Sequence, residues 1–65
     1  MVSTTTIANL LRSLVGTGFN VSLIVDGVVI ENQKVVAVQS NIVFTVNAAG
    51  VVRATLINQI DSVNF

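Results

Sequence analysis

Residues 21–39 read VSLIVDGVVIENQKVVAVQ and contain the strongest structural signal in the chain. Val21–Val25 carries apolar side chains with the period of two that is typical of a β-strand. Asp26-Gly27 follows at once, and this pair favours a type I′ hairpin turn because both central residues of that turn need positive φ. The sequence therefore predicts a β-hairpin whose second strand begins at Val28.

The second strand is long, and its middle is polar. It is predicted to run from Val28 to about Gln39, with Glu31–Lys34 interrupting the apolar alternation. A β-bulge or a sharp bend at these residues would let one strand serve two parts of a curved sheet. Ser40-Asn41 is predicted to form the next turn.

Three shorter strands are predicted in the rest of the chain. The third is Ile42–Val46, with its first, third and fifth residues on one face. A four-residue turn leads to the fourth, Val51–Ile57, in which odd and even residues face opposite sides. A tight turn or one turn of 3₁₀ helix at Asn58–Asp61 precedes a last strand, Ser62–Phe65.

Residues 3–15 are predicted to form one amphipathic helix. Its apolar stripe, at i, i+3, i+4 and i+7, consists of Ile7, Leu10, Leu11 and Leu14. The hydroxyl residues at 3–6 offer N-caps, and Gly16 follows where a helix end favours positive φ. Because so short a helix is marginal alone, it is expected to cap the open end of the β-structure. A membrane-surface helix is the alternative, although Arg12 is its single basic residue.

Composition excludes several kinds of function. Apolar residues make up 52% and charged residues 9% of the chain, and three basic against three acidic side chains leave a net charge of zero. With no His and no Cys, a zinc site, a thiol nucleophile or a disulfide has no residues to form it, and we expect no metal and no cofactor. The lack of a basic excess argues against a purely electrostatic nucleic-acid binder.

No catalytic residue is predicted. Asp26 and Asp61 are explained by turns, and Glu31 by a solvated strand position. No two carboxylates are placed together as general acid–base catalysis requires, and Lys34 is the one base that could activate a Ser or Thr. We therefore expect a protein without enzymatic activity.

Membrane insertion as a helix is not expected. The longest apolar run, Val35–Val38, is far shorter than the roughly 18 residues that a spanning helix needs. The first residues, MVSTTT, lack the basic segment of a signal peptide, and the expected location is the cytoplasm.

Small size and apolar strands together predict self-association. The chain is taken as one domain, residues 1–65, with the helix at about 3–15 and a barrel at about 20–65, and a domain of roughly 60 residues is marginal by itself. Several strands are apolar on both faces, so side chains expected on the outside include Val29, Val43 and Val51. Few charges guard the strand edges, which favours subunit contacts. The predicted fold class is mainly β, with an N-terminal helix and a five-stranded, strongly bent, partly open antiparallel barrel.

Three segments carry a resemblance to a known family. Val21–Gly27 is similar to the opening V-x-L-x-N-G of the family's first motif, and Ser40–Phe44 to its M-N-L-V-L segment, with Asn41 at the asparagine. Ile60 and Val63 match the spacing of the closing apolar pair of the second motif. With the order of elements along essentially the whole chain, these segments resemble the Sm-like family, which includes the bacterial host-factor RNA chaperone and the eukaryotic Sm proteins. An SH3-like small barrel is the alternative.

The resemblance implies a ring. In this family the fourth strand of one subunit pairs with the fifth strand of its neighbour, and usually about five to seven subunits close the ring. For this chain it implies a homo-oligomer with a structural or scaffold role. The implied interface residues are Val51, Val52, Arg53, Thr55, Ile57, Val63 and Phe65.

An RNA-binding ring of the same family is the alternative function. Its candidate ligand residues are Asn41, Arg53, Lys34 and Asn58, and its candidate stacking residues are Phe19, Phe44 and Phe65.

Most of the family's RNA-pocket residues are nevertheless replaced. The first-motif aspartate falls on Ala37 and its glycine near Glu31 or Asn32. The second-motif arginine falls on Leu56, and the bacterial chaperone's Lys-His pair falls on Ile57-Asn58.

Overall fold

The structure is a computed structural model that describes residues 4–64, with side chains from Thr6 onward. Helix α1 (Thr4–Leu14) is followed by five strands, β1 (Val21–Val25), β2 (Val28–Gln39), β3 (Ile42–Val46), β4 (Val52–Leu56) and β5 (Ile60–Asn64), with a 3₁₀ turn at Ile57–Gln59. The strands form one antiparallel sheet in the order β4-β3-β2-β1-β5. The predicted mainly β class, with a helix before five antiparallel strands, is confirmed. The barrel is not closed.

Strand β2 bends and joins the two halves of the sheet, as the polar run predicted. Its residues 28–33 pair with β1, and its residues 34–39 pair with β3. An extra residue interrupts the register with β1 next to Asn32, whose φ is 57°. A second irregularity lies between Val35 and Ala37, in the pairing with β3. Each extra residue increases the local twist, so the strand turns from one half of the sheet into the other.

The hairpin turn between β1 and β2 has the predicted geometry and an additional anchor. Asp26 and Gly27 have φ angles of 50° and 79°, as a type I′ turn requires. The Gly27 N–H donates a hydrogen bond to the Asp61 side chain at 3.1 Å. Asp61 was predicted to lie in a turn, but it belongs to β5. Its carboxylate therefore joins the last strand to the first hairpin.

The helix covers the core, as its apolar stripe predicted. Ile7, Leu11 and Leu14 are buried, and Leu10 packs partly buried against them. The stripe contacts β2, β5 and the 3₁₀ turn. The helix was expected to begin at Ser3, which lies outside the described residues. No helix in the described stretch has the length and hydropathy needed to cross a membrane.

One expected outward side chain is in the core. Val29 and Val51 are 54% and 60% exposed, as predicted, but Val43 is fully buried. Val43 lies opposite Val38 and Thr55, on the face that packs on the helix. The prediction for Val43 was wrong because successive strand residues alternate sides, and the register places the first, third and fifth residues of β3 outside.

Candidate assembly edges and binding residues

Strands β4 and β5 are the two edges of the sheet. The pairing of β4 with β3 determines which N–H and C=O groups of β4 point away from the sheet. The Ile57 N–H donates to the Asn41 carbonyl at 2.7 Å, and the Asn47 N–H donates to the Val51 carbonyl at 3.1 Å, at the two ends of the β3–β4 pairing. Hydrogen-bonded and non-bonded pairs alternate along an antiparallel ladder. The main-chain groups that point away from β3 therefore belong to Val52, Ala54 and Leu56.

The outer face of β3 and β4 is apolar. The register places Ile42 opposite Leu56, Phe44 opposite Ala54, and Val46 opposite Val52. Opposite residues of an antiparallel pair share one face of the sheet, so these six side chains form one patch, which we call the outer apolar face. Val52 is 62% and Leu56 38% exposed.

The predicted interface residues divide into two groups. Val51, Val52 and Arg53 are exposed on or beside β4. Val63 is partly buried against the core, and Phe65 lies outside the described residues. Thr55 and Ile57 are buried inside the subunit. The main chain of Thr55 faces β3, and the Ile57 N–H and carbonyl are bonded to Asn41 and Ile60. These two residues therefore belong to the interior of the subunit and do not present groups to a neighbouring edge.

The four predicted RNA-contact residues are exposed but lie in separate places. Asn41 and Asn58 are brought together at one end of the sheet by the hydrogen bond between the Asn41 carbonyl and the Ile57 N–H. Arg53 is four residues from Ile57, which is about 13 Å along a strand. Lys34 lies on the outer face opposite Val46, whereas Arg53 lies opposite the buried Thr45, on the inner face. One subunit therefore brings the main chains at Asn41 and Asn58 close together but does not bring the two cations together.

A buried polar pair lies where the sequence predicted a solvated bulge. Gln33 is 4% exposed and Thr45 fully buried, and the Thr45 hydroxyl donates to Gln33 Oε1 at 2.8 Å. Gln33 Nε2 donates in turn to the Glu31 carbonyl at 3.1 Å. The sequence pattern did not predict this pair. The available signal was the parity of Gln33 with the buried Val35, two residues along the same strand.

An open cleft of about 310 Å³ lies between the end of α1 and the second half of β2. Its lining is mostly apolar and consists of Val15, Gly16, Gly18, Lys34, Val35, Val36 and Val46. Among the described residues, no group of three or more acids, His or Cys could hold a metal ion. Comparison of the chain with protein-family models, with curated proteins and with solved structures finds no match.

Proposed function

We propose that this chain is a non-enzymatic Sm-like assembly module whose copies join edge to edge, β4 of one to β5 of the next, into a closed ring of about five to seven subunits with a scaffold role. The observation that supports the proposal is the strand order, which leaves β4 and β5 as the two edges of the sheet. An edge strand presents unpaired N–H and C=O groups that form hydrogen bonds with another chain.

Strand β4 carries few of the features that prevent edge-to-edge pairing. Its sequence is VRATL, with no Pro and with Arg53 as its only charged residue, and its register with β3 has no bulge. Natural edges are usually protected by charge, Pro or bulges. An unprotected edge of this kind is best explained by a partner strand.

The two edges differ, which determines the symmetry of the assembly. A contact between β4 and β5 is head-to-tail, and a head-to-tail contact closes into a ring when the rotation between subunits allows it. The bend at β2 turns one half of the sheet relative to the other, and the proposed ring requires this turn to match the rotation between neighbouring subunits. The Sm-like identity draws further support from Asn32, whose positive φ lies where the resemblance expects a glycine.

The edge contact can be tested by removing one outward N–H. Ala54→Pro deletes a donor that points away from β3, so the subunit's own ladder keeps its hydrogen bonds. Ala54→Ser keeps the N–H and is the matched control. For the unsubstituted chain and for Ala54→Ser, we expect multi-angle light scattering to give the mass of one ring of five to seven subunits or a whole multiple of that mass. For Ala54→Pro we expect a much smaller mass with unchanged far-UV circular dichroism.

Two results would contradict the assembly. One is an unsubstituted chain that remains monomeric at about 100 μM, far above the micromolar range of weak specific complexes. The other is an Ala54→Pro variant that keeps both the fold and the full mass.

RNA binding is the alternative function, and the location of the exposed Asn41 and Asn58 at the same end of the sheet favours it. A ring would repeat this pair around its axis, which multiplies weak contacts. The test is fluorescence anisotropy with uridine-rich and adenine-rich oligonucleotides at 50 mM salt. Binding that is lost in Asn41→Ala, and kept in the exposed loop control Asn20→Ala, would support it. No binding at this low salt would exclude it, because phosphate contacts are strongest there.

A further inference from the structure

The outer apolar face stays uncovered in an edge-to-edge assembly. Edge pairing uses the main-chain groups of β4, whereas Val52, Ala54 and Leu56 point their side chains out of the sheet plane. The three residues of β3 on this face are half-buried, and none of the six is charged. A contiguous apolar patch that is repeated on every subunit of a ring is a candidate interaction site.

The shape of the outer apolar face is complementary to a second copy of itself. Along one row of the sheet, Phe44 of β3 lies opposite Ala37 of β2 and opposite Ala54 of β4. A large ring between two methyl groups makes a ridge with a hollow on each side. When two such faces meet across a two-fold axis, the ring of one copy can occupy a hollow of the other, as in packed β-sheets whose side chains interdigitate.

The chemistry of the face disfavours a charged partner. Lys34 lies at its rim, opposite Val46, and the other ends of the two outer rows are Val52, Gln39 and Leu56. An acidic peptide or a phosphate group would find a single cation there. A second copy of the same uncharged face costs no charge desolvation.

The size of the face indicates how many copies are needed. Together with the adjoining residues of β2, the outer apolar face spans three strands. With strands about 4.8 Å apart and five residues long at about 3.3 Å each, the footprint is about 240 Å². A stable interface covers about 800 Å² on each partner, so one pair of faces is too small. A ring of six would present about 1,400 Å² in total, which exceeds that requirement.

We propose that two rings pack together through their outer apolar faces, with the Phe44 ring of each copy seated beside Ala37 or Ala54 of a copy in the opposite ring. This inference rests on the proposed ring. It adds a second contact, sheet on sheet, and it names a second copy of this chain as the occupant of the face.

The test replaces Phe44 with a charge. Phe44→Lys places an ammonium group on the face without altering the β4 edge, and Val29→Lys makes a comparable change on an exposed strand position outside the face. Ala37→Gln, on a different strand, fills a hollow with a polar side chain. We expect light scattering to show half the mass of the unsubstituted protein for Phe44→Lys and Ala37→Gln, and the full mass for Val29→Lys.

The outcomes separate this inference from the ring itself. A monomeric unsubstituted chain would remove both contacts. Folded Phe44→Lys and Ala37→Gln variants that keep the full mass would overturn the face contact and leave the ring standing. Binding of the unsubstituted protein to neutral phosphatidylcholine vesicles, lost in Phe44→Lys without any change in mass, would also overturn it, because a lipid surface would then cover the face.

Discussion

At the residue scale, the buried hydrogen bond between Thr45 and Gln33 makes a measurable contribution to stability. Thr45→Val keeps the shape of the side chain but removes the donor to Gln33 Oε1, in a site where Thr45 is fully buried. Leaving a buried acceptor unpaired costs about 1–3 kcal/mol. We expect the free energy of unfolding in urea to fall by about this amount for Thr45→Val.

A double-mutant cycle distinguishes the hydrogen bond from loss of packing. In Thr45→Val with Gln33→Leu, neither partner leaves an unpaired side-chain group behind. We expect the double variant to lose less stability than the sum of the two single variants. Additive losses would show that the two side chains do not interact.

The left-handed conformation of Asn32 gives a second prediction at this scale. A β-branched residue at its φ of 57° is strained, whereas Gly is not. We expect Asn32→Val to lose about 1–2 kcal/mol of unfolding free energy and Asn32→Gly to stay within about 0.5 kcal/mol of the unsubstituted chain. Asn20→Val, at an exposed loop residue, is the control. Equal losses in all three variants would argue against strain at the bulge.

The side of a strand on which a residue lies was the least predictable feature at this scale. Ile42 and Phe44 are larger than Val43 and Thr45, and Val43 was accordingly expected on the outside. The register assigns Val43 and Thr45 to the core instead. The Thr45 hydroxyl is tolerated there because Gln33, from a distant part of the sequence, accepts its hydrogen bond. Local patterns contain no information about that partner.

At the element scale, helix α1 stabilises the subunit through its stripe. Leu11 is fully buried at the centre of the core, and Ser13, two residues further along and on the opposite side of the helix, is exposed. Truncating a buried Leu to Ala usually costs about 2–5 kcal/mol. We expect Leu11→Ala to lower the urea midpoint strongly and Ser13→Ala to change it little, both measured at one protein concentration. Similar midpoints for the two variants would mean that the helix is not docked on the sheet.

The elements themselves were predictable because their signals are local. The Asp26-Gly27 turn, the apolar stripe of α1 and the polar bend of β2 were each confirmed. The ends of the last two strands were less predictable. Strand β4 was predicted to continue to Ile57, which begins the 3₁₀ turn, and β5 was predicted to begin at Ser62 but begins at Ile60. Ile57 carries a strand-like pattern, but its N–H is bonded to the β2–β3 turn, and this contact belongs to the tertiary structure.

At the scale of the whole molecule, the apolar and charge-poor composition results in many exposed apolar side chains. Three of the exposed large apolar side chains, Val51, Val52 and Leu56, lie on or beside the β4 edge. The others lie after the helix and on β2: Val15, Phe19, Val28, Val29 and Val36. Sequence patterns predicted that such side chains exist. Local patterns did not predict which two strands form the edges, because strand order depends on pairings between residues far apart in the chain; the family resemblance alone implied the fourth and fifth strands.

Coupling between folding and assembly gives the last prediction. If subunits join through edges and faces, unfolding requires dissociation, so the melting temperature must rise with protein concentration. For a six-subunit ring of this size, a hundredfold increase in concentration is expected to raise Tm by about 10 °C or more. Because the proposed contacts are main-chain hydrogen bonds and apolar packing, raising NaCl from 50 to 500 mM should change Tm by less than about 3 °C. Differential scanning calorimetry measures both. A Tm independent of concentration would indicate a monomer, and a large decrease with salt would indicate that ion pairs hold the assembly.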